Sequence, residues 1–432
     1  MARRVVITGL GLVSPLGNSG PRLWSALLAG QSGVGPLTCF PADALPTKFA
    51  AEAREFTGSI DEFGPLEKVK ARTIKKQLKV MCREIQMGVA VAELAMIDAG
   101  LNLAETNLDH MGAVYGADYM LTLPQDFTTG IRNCLDDQGR FDFGRWAEQG
   151  LPAIEPLWLL KYLPNLPACH LAIFNELRGP NNSITMREAS SNLAVAEAFN
   201  TVCRGHADIM IAGATGTRIH VGRTLHVISQ EEIAQDNCDP ARMSRPFDLH
   251  RTGSVLGEGA GAIILEELEY AQRRGAKILG EVIGYGSTSV VEHGRVGRTR
   301  QAVRNVLTQA LRTSGLKPEE VGHIHAHGLS TRECDQHEAE GIQDVLGLAR
   351  TPVTAAKSYF GNLGAGSGLV ELIASVLALE NGVLFPILNY ETPDPACPIH
   401  AVKTGGQPAG DNFINLNITP QGQASAVVVR RL

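Results

Sequence analysis

The sequence predicts an α/β protein built from largely parallel sheets covered by helices. Three observations carry that expectation. Strand-like apolar runs alternate with longer runs of helical spacing, and glycines recur at strand ends. The chain, 432 residues of which 44% are hydrophobic, is also long enough to bury most of its apolar surface. The first strand is read at VVITGLGLV, followed by the helix IQMGVAVAELAMIDAGL and the strand MGAVYGA. The alternation continues through HADIMIAGAT, GAGAIILEEL and AKILGEVIGYG, then the helical QAVRNVLTQALRTSG, the strand HIHAHG and the helix GLVELIASVLALENG. A weak echo between VVITGLGLVSPLG and EVIGYGSTSV points to a duplication, with two halves meeting near residues 265–280. The stretch 122–157 lacks clear periodicity and is too long for an ordinary connection, so it is expected to be a functional excursion at an interface or pocket.

A net charge of −6 with 19% charged residues lacks the basic excess that nucleic-acid binding needs. The start, MARRVVITGLGLVSPLG, carries two arginines and an apolar run, but glycines break the run and it leads into Ser-Pro. It reads as a buried strand and not as a signal segment. No run approaches ~18 uninterrupted apolar residues, so no membrane span is expected and the chain reads as cytoplasmic. Eight cysteines form no C-x-x-C pair, which argues against a zinc site or a redox motif. No metal and no cofactor are expected.

Three segments carry chemistry. In 178-RGPNNSITMREASSNLAVAEAF-199, turn residues and a short strand feed a helix, placing Glu188 at the last position before that helix. Such an elbow normally exposes a nucleophile at the positive end of a helix. A glutamate there is electrostatically comfortable but a poor acyl acceptor, and this segment by itself reads first as a helix-terminal carboxylate without chemistry. In 323-HIHAHG-328 three histidines alternate on one strand face, and His327, followed by glycine at the strand end, sits where a catalytic imidazole is often found. No nearby carboxylate or cysteine has convincing metal-ligand spacing. In 354-TAAKSYFGNLGAGSGLVELIASVLAL-379 a Gly-rich turn precedes a helix but lacks the G-K-[ST] ending of a phosphate loop. Lys357 is read equally as a buried, paired lysine or as a site residue.

Together these segments resemble the β-ketoacyl-acyl carrier protein synthases of the thiolase superfamily, over nearly the whole chain. RRVVITGLGLVSPLGNS, SRPFDLHRTGSVLGEGAGAIILEELEYAQRRGAKILGEVIGYG, HAHGLST with Asp335 and Glu338, and AAKSYFGNLGAGSGLVE with Glu371 follow that family's order. The resemblance implies a thiolase-like fold of two duplicated α/β halves, layered α-β-α-β-α, divided here as 1–265 and 266–432. It also implies that Glu188 stands where the family keeps its nucleophilic cysteine. His327 and Lys357 match a family histidine and lysine, and Asn362 stands where a second histidine is expected. A flexible glycine-rich gating loop is replaced by 415-NLNITPQGQASAVVV-429, where Pro420 removes a backbone donor.

These departures suggest a noncondensing subunit similar to the chain-length factors of type II polyketide and related polyene systems. The implied partners are an acyl carrier protein and a cysteine-containing ketosynthase in a heterodimer, or a second copy in a homodimer. The alternatives are a malonyl-carrier decarboxylase, and an atypical acyltransferase or condensing enzyme using other residues. Ser190 and Ser191 lie one turn along, without an assignable base.

Overall fold

A computed structural model describes residues 3–234, 239–293, 296–347 and 351–432. Eleven strands form one sheet: β1 (Val5–Val13), β2 (Met111–Ala117), β3 (Asn181–Thr185), β4 (Ile209–Thr217), β5 (Glu258–Glu267), β6 (Gly280–Ser289), β7 (His323–His325), β8 (Pro352–Thr354), β9 (His400–Ala401), β10 (Asn412–Ile418) and β11 (Gln423–Arg430). Their spatial order is β9-β8-β7-β10-β11-β6-β1-β5-β4-β2-β3. The helices that frame the site are α1 (Lys68–Gln77), α2 (Arg83–Asp98), α3 (Leu166–Asn175), α4 (Ser190–Cys203), α5 (Val221–Gln230), α6 (Thr299–Ser314), α7 (Arg332–Leu346) and α8 (Ser367–Asn381).

The sheet repeats itself. From its centre outward, β1-β5-β4-β2-β3 runs through two antiparallel and then two parallel pairings, and β6-β11-β10-β7-β8 does the same. The halves join where Val5–Ile7 of β1 pairs antiparallel with Gly280–Val282 of β6. Helices α4 and α8 each pack on strands of both halves, α2 and α3 cover the outside of the first, and α6 with α7 covers the second. The result is the layered α-β-α-β-α arrangement of a thiolase-like fold. Strands covered on both faces need no polar alternation, and β4 and β5 are buried along their whole length. Close approach also demands glycine: a Cβ at Gly11 of β1 would lie 2.0 Å from the Val91 carbonyl of α2.

The expectation of largely parallel sheets is corrected. Half of the pairings in the large sheet are antiparallel, because β10 and β11 form a hairpin and β1 is flanked by β5 and β6, both running against it. Helical spacing between strands signals crossovers but cannot reveal which distant strands become neighbours. The excursion 122–157 is also less irregular than its sequence indicates. It contains a helix at Pro124–Asn133, whose Phe127 meets the rings of Trp146 and Trp158 at 6.4 and 5.0 Å. Leu123, Ile131, Phe141, Phe143, Leu151 and Leu157 of this stretch remain exposed. Among the described residues no helix is long and apolar enough to cross a membrane.

Candidate active site

The elbow follows β3. Met186 leads into a short turn at Arg187–Ala189, and α4 begins at Ser190. Arg187 adopts a left-handed backbone, φ 49°, which costs a non-glycine residue about 1 kcal/mol or more and needs side-chain contacts to hold it. Its side chain bonds Glu231 through Nη2 and brings Nε to 3.5 Å from Glu188. Glu188 is only 1% exposed. Its Oε1 accepts hydrogen bonds from Nη2 of Arg218 and, at 3.0 Å, from Nδ2 of Asn362. Burial alone would push this carboxyl up, but the charges of Arg218 and then Arg187 outweigh it and hold the group well below the usual carboxylate range. Arg218 is equally buried and lies 3.5 Å from Asp118. Glu231, Arg187, Glu188, Arg218 and Asp118 thus form a ladder of alternating charge through the elbow.

The opposite wall comes from the second half. Backbone N–H groups of His327 and Gly328 donate to Glu338 at 2.6 and 2.8 Å, and Ser330 N–H donates to Asp335 at 3.0 Å. Burial pushes Glu338 up to about 8 and Asp335 up to about 6. The His327 Nδ1 accepts from Lys357 Nζ at 3.2 Å and faces the Ile418 N–H at 3.4 Å. Burial, then the Lys357 charge, lowers this imidazole well below its ordinary range. The neutral ring therefore carries its proton on Nε2, where it can donate to a carbonyl. Lys357 is ion-paired to Glu371, whose second oxygen accepts from Asn417 Nδ2 at 2.7 Å. A cavity of about 350 Å³ reaches His327, with Glu231, Thr331, Cys334 and Thr419 in its walls.

Glu188 and Asn362 are therefore in direct contact, as are His327 and Lys357, and the Glu188 charge acts on His327. The other two histidines do different work. Ala356 N–H donates to His325 Nε2 at 3.1 Å, so His325 Nδ1 donates to Ser375 Oγ at 2.8 Å. The Ser375 hydroxyl then donates to His323 Nε2 at 3.1 Å, and His323 Nδ1 donates to the Ala409 carbonyl at 2.7 Å. Every ring nitrogen is committed to a hydrogen bond, and His327 lies beyond the end of β7. Ser190 and Ser191 donate to the carbonyls of Arg187 and Ala365 respectively, which commits both hydroxyl protons.

Sequence reasoning missed Arg218, Glu231, Asp118 and Asn417. The available signal was Arg218 itself, an arginine directly following the wholly buried run IMIAGATGT. A charge at the end of such a strand needs a buried counter-charge.

Two α/β halves of equal strand order, sharing a central helix layer and placing an elbow opposite a histidine-bearing strand end, define the thiolase-like class. The comparisons give the family. The model of the β-ketoacyl synthase N-terminal domain matches residues 2–271, and that of the C-terminal domain matches 279–391. The chain is 35% identical over 408 residues to 3-oxoacyl-(acyl-carrier-protein) synthase 2 of Synechocystis sp., covering 93% of this chain and 91% of that one. Among solved structures it is similar to a β-ketoacyl synthase from Burkholderia phymatum, at TM-score 0.84 and 27% identity. It is also similar to the ishigamide ketosynthase/chain length factor, at 0.83 and 26%, with 100% of both chains covered in each case. The chain belongs to the β-ketoacyl synthase family. It is a ketosynthase-fold protein of the fatty-acid and type II polyketide kind.

Proposed function

We propose that this protein is a noncondensing, chain-length-factor-like partner of an active 3-oxoacyl-acyl carrier protein synthase. The observation that carries the reading is Glu188, buried at the elbow and ion-paired to Arg218. A carboxylate in that position forms at best a mixed anhydride with an acyl group, and so gives no thioester relay. His327, Lys357 and Asn362 are the remaining site positions in this proposal. The similarity to a ketosynthase/chain length factor supports it.

An acyl carrier protein is the proposed partner in solution, in the cytoplasm. Lys68, Arg72, Lys75, Lys76 and Lys79 lie exposed on and just after α1, a basic face on a chain of net charge −6 that suits an acidic partner. Pairing with a ketosynthase, or with a second copy, is supported by β3. Among the described residues this strand pairs with β2 alone and ends the sheet, and the stretch 122–157 carries exposed apolar residues. Division of the chain into halves at 1–265 and 266–432 belongs to the same proposal.

The test is incubation with a labelled acyl carrier protein, followed by hydroxylamine treatment and mass spectrometry. We expect no stable acylation; a hydroxylamine-labile acyl group at or near Glu188 would overturn the reading. Sizing at micromolar concentration should give a dimer, alone or with a cognate ketosynthase. A malonyl-carrier decarboxylase is the second reading, favoured by the Nε2–H of His327, whose Nδ1 accepts from Lys357. Against it, Glu188 places a negative charge where a malonyl carboxylate would approach. Release of carbon dioxide from malonyl-carrier protein by the purified chain would decide for it.

A further inference from the structure

Three separate segments converge on the Glu188 carboxylate. Arg218 follows β4, and its backbone N–H is tied to the Gly257 carbonyl at 2.8 Å. Asn362 is fixed by its own N–H, which donates to the Val255 carbonyl at 2.8 Å. The Asn362 amide is also oriented. Oδ1 accepts from Gly364 N–H at 2.9 Å and from the Ser367 hydroxyl at 3.3 Å, which leaves the NH₂ group to face Glu188. Arg187 is anchored through Nη2 by Glu231, independently of Glu188.

The donors are thus held by parts of the chain other than the carboxylate they surround. Donor capacity is also left over: Nε and Nη1 of Arg218 and Nε of Arg187 are buried without a hydrogen-bond partner. Two guanidinium groups and an oriented amide around one carboxylate are the elements of a carboxylate receptor, since planar guanidinium donors match the geometry of that anion.

We propose that Arg218, Arg187 and Asn362 form a carboxylate-binding cradle at the elbow, that Glu188 fills it as an internal ligand, and that a small exogenous carboxylate takes its place when that side chain is removed. This inference rests on the cradle's geometry and stands whether or not the chain is a noncondensing partner. It makes Arg218 a determinant of what the elbow accepts. The site is matched to an anion tethered by two methylenes, and an acyl group brought to the elbow meets a cradle already occupied.

The experiment compares the wild type, Glu188→Ala and Glu188→Ala/Arg218→Met by thermal unfolding. Each is measured in sodium chloride, in sodium acetate at equal ionic strength, and in chloride with added acetamide. Glu188→Ala removes a buried anion from two buried guanidinium groups and should lower Tm by roughly 4–6 °C. Acetate should recover about half of that loss or more, saturably and beyond any shift it gives the wild type. Acetamide should not, and the double variant should show no acetate-specific gain. An acetate gain equal to that of the wild type, or one that persists without Arg218, overturns the proposal. If Glu188→Ala does not accumulate folded in chloride, it is refolded from denaturant in either salt. Recovery of folded protein in acetate alone supports the cradle, and equal failure in both overturns it.

Discussion

The two walls of the site solve the same problem, buried charge, in opposite ways. On the second-half wall, the Glu371 oxygens are matched to Lys357 and Asn417, and those of Glu338 to two backbone N–H groups. On the elbow wall, Asp118, Arg187, Glu188, Arg218 and Glu231 each leave at least one buried polar atom without a hydrogen bond, and each lies in an ion pair with its neighbour in the ladder. The first wall is a positioned donor set that can polarise a carbonyl. The second is an electrostatic unit in which the elbow carboxylate is ion-paired to Arg218. Retention of one and closure of the other is the pattern that the proposed noncondensing role requires.

Restoring a thiol at the elbow tests the difference between the two walls most directly. Glu188→Cys places sulfur at a helix N-terminus beside Arg218, where its pKa should fall and acylation becomes feasible. Condensation should still fail for lack of a second imidazole. We expect product from Glu188→Cys to stay about 10²-fold or more below that of Glu188→Cys/Asn362→His, measured by mass spectrometry with malonyl-carrier and a short acyl donor. Equal yields would mean that the histidine wall is already sufficient.

The next effect is on stability. Arg218→Met leaves the buried Glu188 charge with only Arg187 and Asn362 beside it and should cost about 3 kcal/mol in urea unfolding, whereas Arg218→Met/Glu188→Leu should recover most of that loss. A double variant no better than the single one would show that the ladder does not depend on this pair.

A smaller effect tests the neutral histidines. Burial lowers His323 from 6.5 to about 4, so as pH falls through that window the unfolded chain takes up a proton that the folded chain refuses. Stability is therefore lost on acidification. Relative to His323→Gln, the wild type should lose up to roughly 1.4 kcal/mol per pH unit between about pH 6.5 and pH 4. A difference independent of pH would contradict the neutral assignment. Smallest is Ser375→Ala, which cuts the chain between His323 and His325 and should cost about 1–3 kcal/mol by leaving buried ring nitrogens unpaired. No loss would show that the rings find other partners.

Much of the fold was legible because burial on both faces writes itself as continuous apolar runs, as in β1, β2 and β4. Strand sense was not, since β1 pairs with β5, some 250 residues later. The helix Pro124–Asn133 escaped because its sequence, PQDFTTGIRN, offers only Phe127 and Ile131 as an apolar stripe. At the candidate site, Glu188, His327 and Lys357 stand out in local segments and Asn362 through the family resemblance, and the folded chain brings Glu188 against Asn362 and His327 against Lys357. Arg218 belongs to no such segment and Asn417 lies in the replaced gating loop, and only the folded chain shows which buried carboxylates they serve.

The central layer has a consequence for how the chain can be divided. Helix α4 comes from the first half and α8 from the second, yet each packs on strands of both. A break between Glu267 and Gly280 would therefore not release two independent domains. Each fragment would keep one of the two shared helices and expose apolar sheet surface that the missing helix covers. Neither piece would hold a complete interior, and the two would regain one only by recombining around that shared pair.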